Sequence, residues 1–305
     1  MSVVSNILDA FQCVQFTVKD AYSVNPNTNR ESVRARIYEN LGTVFTRVSR
    51  GVYISVAEDA VLIEGDGRDL SFLEDSSIDC IITDHPWMDE KSNIGRNRSF
   101  ASYDCFRYTV ADFMEKSRVL KDGSFLCECV PAENANNYDY LYEIKKMAES
   151  AGFEYYCKVP WKKGTFVSNT GRNAKAFEDI IIFSKGKPRA LKPDKQRGVI
   201  NGIPTRFMSG TNGMLPAMFD VQAVSRKERI TQSEKPARLF EQLLEFVTRP
   251  DEVVLDQFAG SGSVGQACLN TGRKCILVEK SHDLVVKISN RLCLSQIHAA
   301  GFVMA

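Results

Sequence analysis

The chain has 305 residues, 44% of them hydrophobic and 25% charged, with a formal net charge of +1, the balance of a globular protein long enough to bury a substantial core. No apolar run reaches the ~18 residues needed to cross a bilayer and the N-terminus lacks the apolar core of a secretory signal, so a cytoplasmic protein with no membrane partner is expected. Nine cysteines form no disulfide framework, Cys127 and Cys129 alternate as in a strand, and only three histidines are present; no metal site is expected, and the thiols read as reduced core residues.

Residues 1–56 stand apart from the pattern that follows. Over residues 29–42, Val33, Ile37 and Leu41 fall at i, i+4 and i+8, one apolar face of a helix that Gly42 stops. Residues 44–48 and 52–56 alternate as two strands about a Ser49-Arg50-Gly51 turn. A helix followed by a basic hairpin resembles a winged helix-turn-helix module. Arg34 and Arg36 would then touch nucleic acid from the helix, and Arg47 and Arg50 from the wing. Such modules also dock proteins, and that alternative stays open.

From residue 57 to about 184, apolar strands alternate with amphipathic helical runs at 108–120 and 138–151, which predicts an α/β fold: a parallel sheet with helices on both faces. The apolar strand Ile78–Thr83 runs directly into Asp84-His85-Pro86-Trp87. The segment 88–104 that follows is polar and basic in its middle, with Arg96 and Arg98, and reads as a loop beside this tetrapeptide. Residues 185–235 carry eleven Lys and Arg against four Asp and Glu and are rich in glycine. A charge run is usually a solvated face; it is also the footprint of a nucleic-acid surface, here with Arg197, Arg206, Arg226, Lys227 and Arg229 as candidates.

Residues 233–305 contain a strand, 253–258, that enters a turn holding Gly260 and Gly262. A helix begins near Val264, and a second strand ends on Glu279. Glycines let a backbone approach a ligand closely, and a carboxylate about 20 residues on can hold two ribose hydroxyls. Alone, this pattern is shared by proteins that bind NAD, FAD or S-adenosyl-L-methionine (AdoMet).

Together with Asp84-His85-Pro86-Trp87, it resembles the amino-methyltransferases of DNA, whose hallmarks are an Asp-Pro-Pro-Tyr-like tetrapeptide and a Phe-x-Gly-x-Gly turn. The tetrapeptide precedes the turn, as in the permuted β group of that family, and the resemblance covers roughly residues 57–290. It implies a Rossmann-like AdoMet-dependent methyltransferase fold with a small N-terminal winged-helix domain. Four stretches follow: 1–56, a catalytic half at 57–184, target recognition at 185–232 and an AdoMet-binding half at 233–305. It further implies that Asp66, Asp69, Lys235, Asp256, Phe258, Ala259, Gly260, Ser261, Gly262 and Glu279 surround AdoMet. Asp256 would meet its ammonium, Lys235 its carboxylate end and Glu279 its ribose.

The tetrapeptide suits methylation of an exocyclic amino group. That nitrogen is a poor nucleophile because its lone pair is delocalised into the ring. Acceptors on both its hydrogens, the Asp84 carboxylate and the His85 backbone carbonyl, would localise the pair. Pro86 fixes that carbonyl's direction, and Trp87 offers a face on which an extruded base can stack. Adenine N6 is favoured over cytosine N4, because an acidic first position is the commoner one among the adenine enzymes. His85 departs from the usual second proline: its side chain either points away or meets the substrate. Gln257 and Ser263 depart from the commoner Pro and Thr. The expected partner is double-stranded DNA in a bacterial or phage-infected cytoplasm, associated with the nucleoid. A restriction or accessory subunit and a homodimer are further partners this family allows. An RNA or modified-base substrate, or a silent DNA-binding subunit, are the rival readings.

Overall fold

A computed structural model describes residues 2–11, 15–41, 44–49, 52–55, 59–87, 105–164, 177–191, 199–200, 203–204, 214–231, 233–294 and 298–299. Six elements come first: α1 (Val3–Phe11), β1 (Gln15–Thr17), α2 (Val18–Ser23), α3 (Arg30–Glu39), β2 (Phe45–Ser49) and β3 (Val52–Ser55). The strands pair antiparallel in the order β1-β3-β2. Asn29 caps α3 by accepting the Ser32 N–H at 2.7 Å. Val33 and Ile37 of the expected stripe are buried. They pack with Ile7, Phe16, Phe45 and Tyr53 in one cluster. The sequence shows α3 and the hairpin but not α1, β1 and α2. A three-residue strand and a six-residue helix are too short to display a period.

The remaining elements are β4 (Ala60–Glu64), β5 (Ile78–Thr83), α4 (Val110–Val119), β6 (Leu120–Pro131), α5 (Tyr138–Ser150), β7 (Phe153–Lys162), β8 (Phe177–Lys185), β9 (Val199–Ile200), β10 (Ile203–Pro204), β11 (Phe219–Asp220), α6 (Ala237–Val247), β12 (Val253–Asp256), α7 (Ser263–Asn270), β13 (Lys274–Glu279), α8 (His282–Leu292) and β14 (His298–Ala299). Nine strands form one sheet in the order β11-β7-β8-β6-β5-β12-β13-β4-β14. It is mixed, which corrects the expectation of a parallel sheet: β8 runs antiparallel to both β6 and β7, whereas every other neighbouring pair is parallel. Period-two alternation carries no information about strand direction, so the sequence could not reveal β8 as the exception.

Alternation along the strands divides the core into two. Cys80, Phe125, Cys127, Ile180 and Ile182 face α6, α7 and α8. Ile81, Leu126, Ile181 and Phe183 face α4 and α5. Helices therefore cover both faces, as expected. No disulfide joins the eight described cysteines. Six are buried, but Cys105 is exposed and Cys157 half-buried, so the reading of all thiols as core residues fails there. Among the described residues, no helix is long and apolar enough to cross a membrane.

Three adjacent parallel strands, β5, β12 and β13, end side by side at Thr83, Asp256 and Glu279. Ligands of open α/β sheets bind in the crevice beyond such carboxyl ends.

Candidate active site

A cavity of about 640 Å³ opens over these three strand ends, lined by the tetrapeptide Asp84 to Trp87, Lys235, Asp256, the turn Phe258 to Ser261, Glu279 and Asp66. Two predicted residues lie outside the lining. Asp69 is exposed and caps a turn by accepting the Ser71 N–H at 3.0 Å. Gly262 supports the turn from behind at the start of α7 with φ 77°, where an added Cβ would come within 3.0 Å of the Ile288 side chain.

The glycine turn is fastened to β13 by its backbone. Ala259 N–H donates to the Val278 carbonyl at 2.9 Å. The Glu279 carboxylate accepts the N–H groups of Gly260 and Ser281, both at 2.8 Å. These bonds aim the carboxylate and leave its other lone pairs available. Asp256 is buried; burial pushes its carboxyl up to about 7, only partly offset by the Phe258 N–H. A cation entering the cavity would restore its ionised form.

Gly67 and Gln257 complete this side, and only the structure reveals the joint between them. The Gln257 amide donates to the Gly67 carbonyl at 2.7 Å, and a Cβ on Gly67 would lie 1.8 Å from the Gln257 backbone oxygen. Gln257, a departure from the family's commoner proline, thus locks the turn after β4 to the turn after β12. Ser263, the other departure, is buried with its hydroxyl 3.0 Å from that of Ser261.

On the tetrapeptide side, Asp84 caps β5 with its side chain partly open to the cavity. It is paired with the buried Lys235 ammonium, which also lies 3.3 Å from Glu178. Glu178 in turn pairs with Lys163. Lys235, expected at the AdoMet carboxylate, lines the cavity and is also part of the tetrapeptide's ion-pair network. Glu178 is the second residue of β8 and has no spacing signal linking it to Asp84, so the sequence offered no reason to select it. Burial raises the Asp84 carboxyl above the usual range, against the pull of Lys235.

The His85 side chain is fully buried. Its Nε2 lies 3.0 Å from the Tyr140 hydroxyl and its Nδ1 3.9 Å from Glu128, which forms a buried pair with Lys116. Burial, with the Lys116 and Lys235 cations, holds the imidazole well below its ordinary range, so it is neutral. The ring is thus held among Tyr140, Tyr108, Trp87 and Phe106.

Trp87 packs on His85 (4.5 Å between centroids) and edge-on to Tyr140 (5.2 Å), and bridges to Phe106. Phe106 continues to Phe258 at 5.4 Å, so an aromatic wall runs from the tetrapeptide to the glycine turn. Arg68 stacks over Phe106 at 4.8 Å while its guanidinium holds Asp112 at 2.7 and 3.0 Å.

The candidate nucleic-acid residues are dispersed. Arg34 and Arg36 are exposed on α3, the latter paired with Glu39 at 2.5 Å, and Arg47 is exposed on β2. Arg226 and Lys227 are exposed in a turn, with Arg229 half-buried beside them. Arg50, Arg96, Arg98, Arg197 and Arg206 lie outside the described residues. Within 185–235, some cations serve the fold rather than a surface. Arg189 grips Glu252 through two bonds of 2.8 Å, and Lys185 donates to the Leu120 carbonyl at 2.8 Å.

The chain is similar to known DNA methyltransferases. The family model N6_N4_Mtase, described as DNA methylase, matches residues 78–290. The type II methyltransferase M.HpaI of Haemophilus parainfluenzae is 23% identical over 239 residues, 73% of this chain and 70% of that protein. The crystal structure of M1.HpyAVI in complex with SAM superposes with a TM-score of 0.52 at 18% identity, covering 76% of this chain and all of the other. PvuII DNA methyltransferase, cytosine-N4-specific, gives 0.54 at 18% identity, over 77% and 87% of the two chains. The last two likenesses concern the fold; the family match spans well over half of the chain and contains both the tetrapeptide and the glycine turn. With the strand ends, the cavity and this match in agreement, the chain belongs to the N6/N4 family of DNA methylases.

Proposed function

We propose that this protein transfers a methyl group from AdoMet to the exocyclic amino group of an extruded DNA base, adenine N6 in preference to cytosine N4. The observation that carries this reading is the single cavity that joins Asp84 at the end of β5 to the glycine turn after β12 and to Glu279 at the end of β13. The residues present fit the cofactor. The backbone-held Glu279 carboxylate suits ribose hydroxyls, the buried Asp256 calls for a cation such as the methionyl ammonium, and the turn leaves room for close approach. Asp66 would line the adenosine side. AdoMet, when bound, supplies a sulfonium-activated methyl group.

The chain's own residues make the amine a nucleophile. Asp84 accepts one amino hydrogen and the His85 backbone carbonyl the other, so the lone pair is drawn out of conjugation. The buried His85 ring, anchored at Tyr140, holds that carbonyl's peptide in place. Trp87, backed by His85 and Tyr140, offers the surface against which the base stacks, an interaction worth roughly 1–3 kcal/mol. Positioning and aimed acceptors suffice, without a covalent nucleophile. The acidic first position, Asp84, supports adenine by family association. The order helix, strand, two helices, then two strands in residues 3–55 supports a winged-helix reading of the N-terminal segment, with α3 and the β2–β3 hairpin toward DNA.

Incubation with methyl-labelled AdoMet and duplex DNA, followed by nucleoside analysis, tests the proposal. Labelled N6-methyladenine is expected. Label in N4-methylcytosine would overturn the choice of base, and label in neither would overturn the amino-methyltransferase reading.

A further inference from the structure

We propose that Glu178 is a positioning residue for methyl transfer: together with Lys235 and Lys163 it forms a charge relay, buried at Lys235 and half-buried at the other members, that sets how much of the Lys235 cation Asp84 receives. The proposal rests on the reading of Asp84 as the amine's acceptor. Its ground is geometric. The Lys235 ammonium is buried and sits between two carboxylates, bonded to Asp84 and 3.3 Å from Glu178. Glu178 is itself shared, since Lys163 bonds its other oxygen. Four charges from four places in the chain thus alternate in sign as Asp84, Lys235, Glu178 and Lys163.

An acceptor bonded to a fully committed ammonium would be a poor one, because the cation neutralises the charge that localises the amine's lone pair. A buried carboxylate without a cation would bind a proton and cease to accept. Glu178 places Asp84 between these limits by drawing Lys235 partly away. The directions agree. Burial alone would lower the Lys235 ammonium, but Asp84 and Glu178 outweigh it and hold it above the ordinary lysine range. Burial would raise Glu178, but Lys235 and Lys163 bring it below the usual range. Asp84 stays raised by burial, with Lys235 pulling down and Glu178 pushing up. Glu128 and Cys129 from β6 and Asp256 from β12 also sense the Asp84 charge. Among these neighbours, Glu128 has its own cation in Lys116. Lys235 is the cation bonded directly to Asp84.

The test measures single-turnover methyl transfer against pH in the full chain, with AdoMet affinity determined alongside. At AdoMet concentrations that saturate the site at every pH, so that the Asp256 titration does not enter, the acid limb reports Asp84, which acts when ionised. Glu178→Gln removes the group that pushes Asp84 up and gives Lys235 wholly to Asp84. The limb should move to lower pH by about 1 unit while the plateau rate falls roughly tenfold, with AdoMet affinity unchanged. Glu178→Asp should restore most of the rate. Lys235→Met and Lys163→Met should each move the limb the other way, to higher pH: the first deletes Asp84's cation, the second frees Glu178 to draw that cation off. Displacements of opposite sign support the relay, and a purely structural role for Glu178 would not produce them. A limb unmoved in Glu178→Gln, or moved in the same direction in all variants, overturns it. Asp84→Ala serves as the separate control. If it turns over normally, the assignment of Asp84 has itself failed; if it is inert while the Glu178 variants match the parent, only the relay has.

Discussion

The two sides of the cavity are built in different ways. The glycine-turn side comes from a short stretch of chain and is made largely of backbone: the β12 turn, the N–H groups that fasten Glu279, and φ angles of 56° at Gly260 and 77° at Gly262. The tetrapeptide side is made of side chains gathered from across the sheet. Asp84 directly follows β5, Glu178 is the second residue of β8, Lys235 precedes α6 and Tyr140 lies on α5. A site for an invariant ligand can be moulded in backbone, because one shape suffices. A site that must localise a lone pair needs tuned charge, and tuning requires partners of both signs at adjustable distance. The Gly67–Gln257 contact and the aromatic wall join the two sides.

The division predicts that each side can be disabled alone. Asp84→Ala should produce the largest effect, a loss of methyl transfer of about 10²–10³-fold or more, while calorimetry finds AdoMet affinity close to that of the parent. A mutant that loses AdoMet binding as well would show that the sides are not separable. Gly67→Ala strikes the joint instead. With a backbone oxygen 1.8 Å from the new Cβ, the turns must move apart. A stability loss of about 1–3 kcal/mol by denaturant titration is expected, with weakened AdoMet binding. Parent-like values for both would deny that this contact holds the turns together.

Asp256→Asn should act on the cofactor side alone and through pH. The buried Asp256 carboxyl titrates near 7 in the folded protein, above its ordinary value of 3.8. A raised carboxyl favours the folded state when protonated, so its contribution to stability falls as pH rises from about 4 to about 7 and then levels. A bound cation lowers that titration, so AdoMet binding near pH 7 should release a fraction of a proton and strengthen as pH rises through 7. Calorimetry in two buffers of unlike ionisation enthalpy checks this, and the release should vanish in Asp256→Asn. Release unchanged in that variant would remove Asp256 from the cofactor's ammonium.

The smallest effect expected lies outside both sides. Arg226→Ala and Lys227→Ala should leave AdoMet binding intact and each lower the logarithmic salt slope of DNA affinity by roughly 0.9. A slope unchanged in both would mean that this exposed turn is only a solvated surface. Target contact would then have to come from α3 and its hairpin, or from segments such as 88–104.

What could be read in the chain follows the same line between local and gathered structure. Strand Ile78–Thr83, the turn at Gly260 and Gly262, and Glu279 at the end of its strand were all legible, because each is a pattern of neighbours in sequence whose geometry is dictated by backbone. The α3 stripe of Val33 and Ile37 was legible for that reason as well. Tertiary structure alone decided the rest. Strand direction leaves no mark on alternation, so the reversed β8 had to be seen. The turn bond from Ser71 to Asp69 and the pairing of Lys235 with Asp84 join groups that no sequence pattern links. Arg189, one charge in a basic run, was drawn inward to Glu252. Such assignments depend on which groups the folded chain brings within a few ångströms of one another. Composition and spacing set which charges exist; only the packing of β5, β8 and the segment before α6 sets which of them meet.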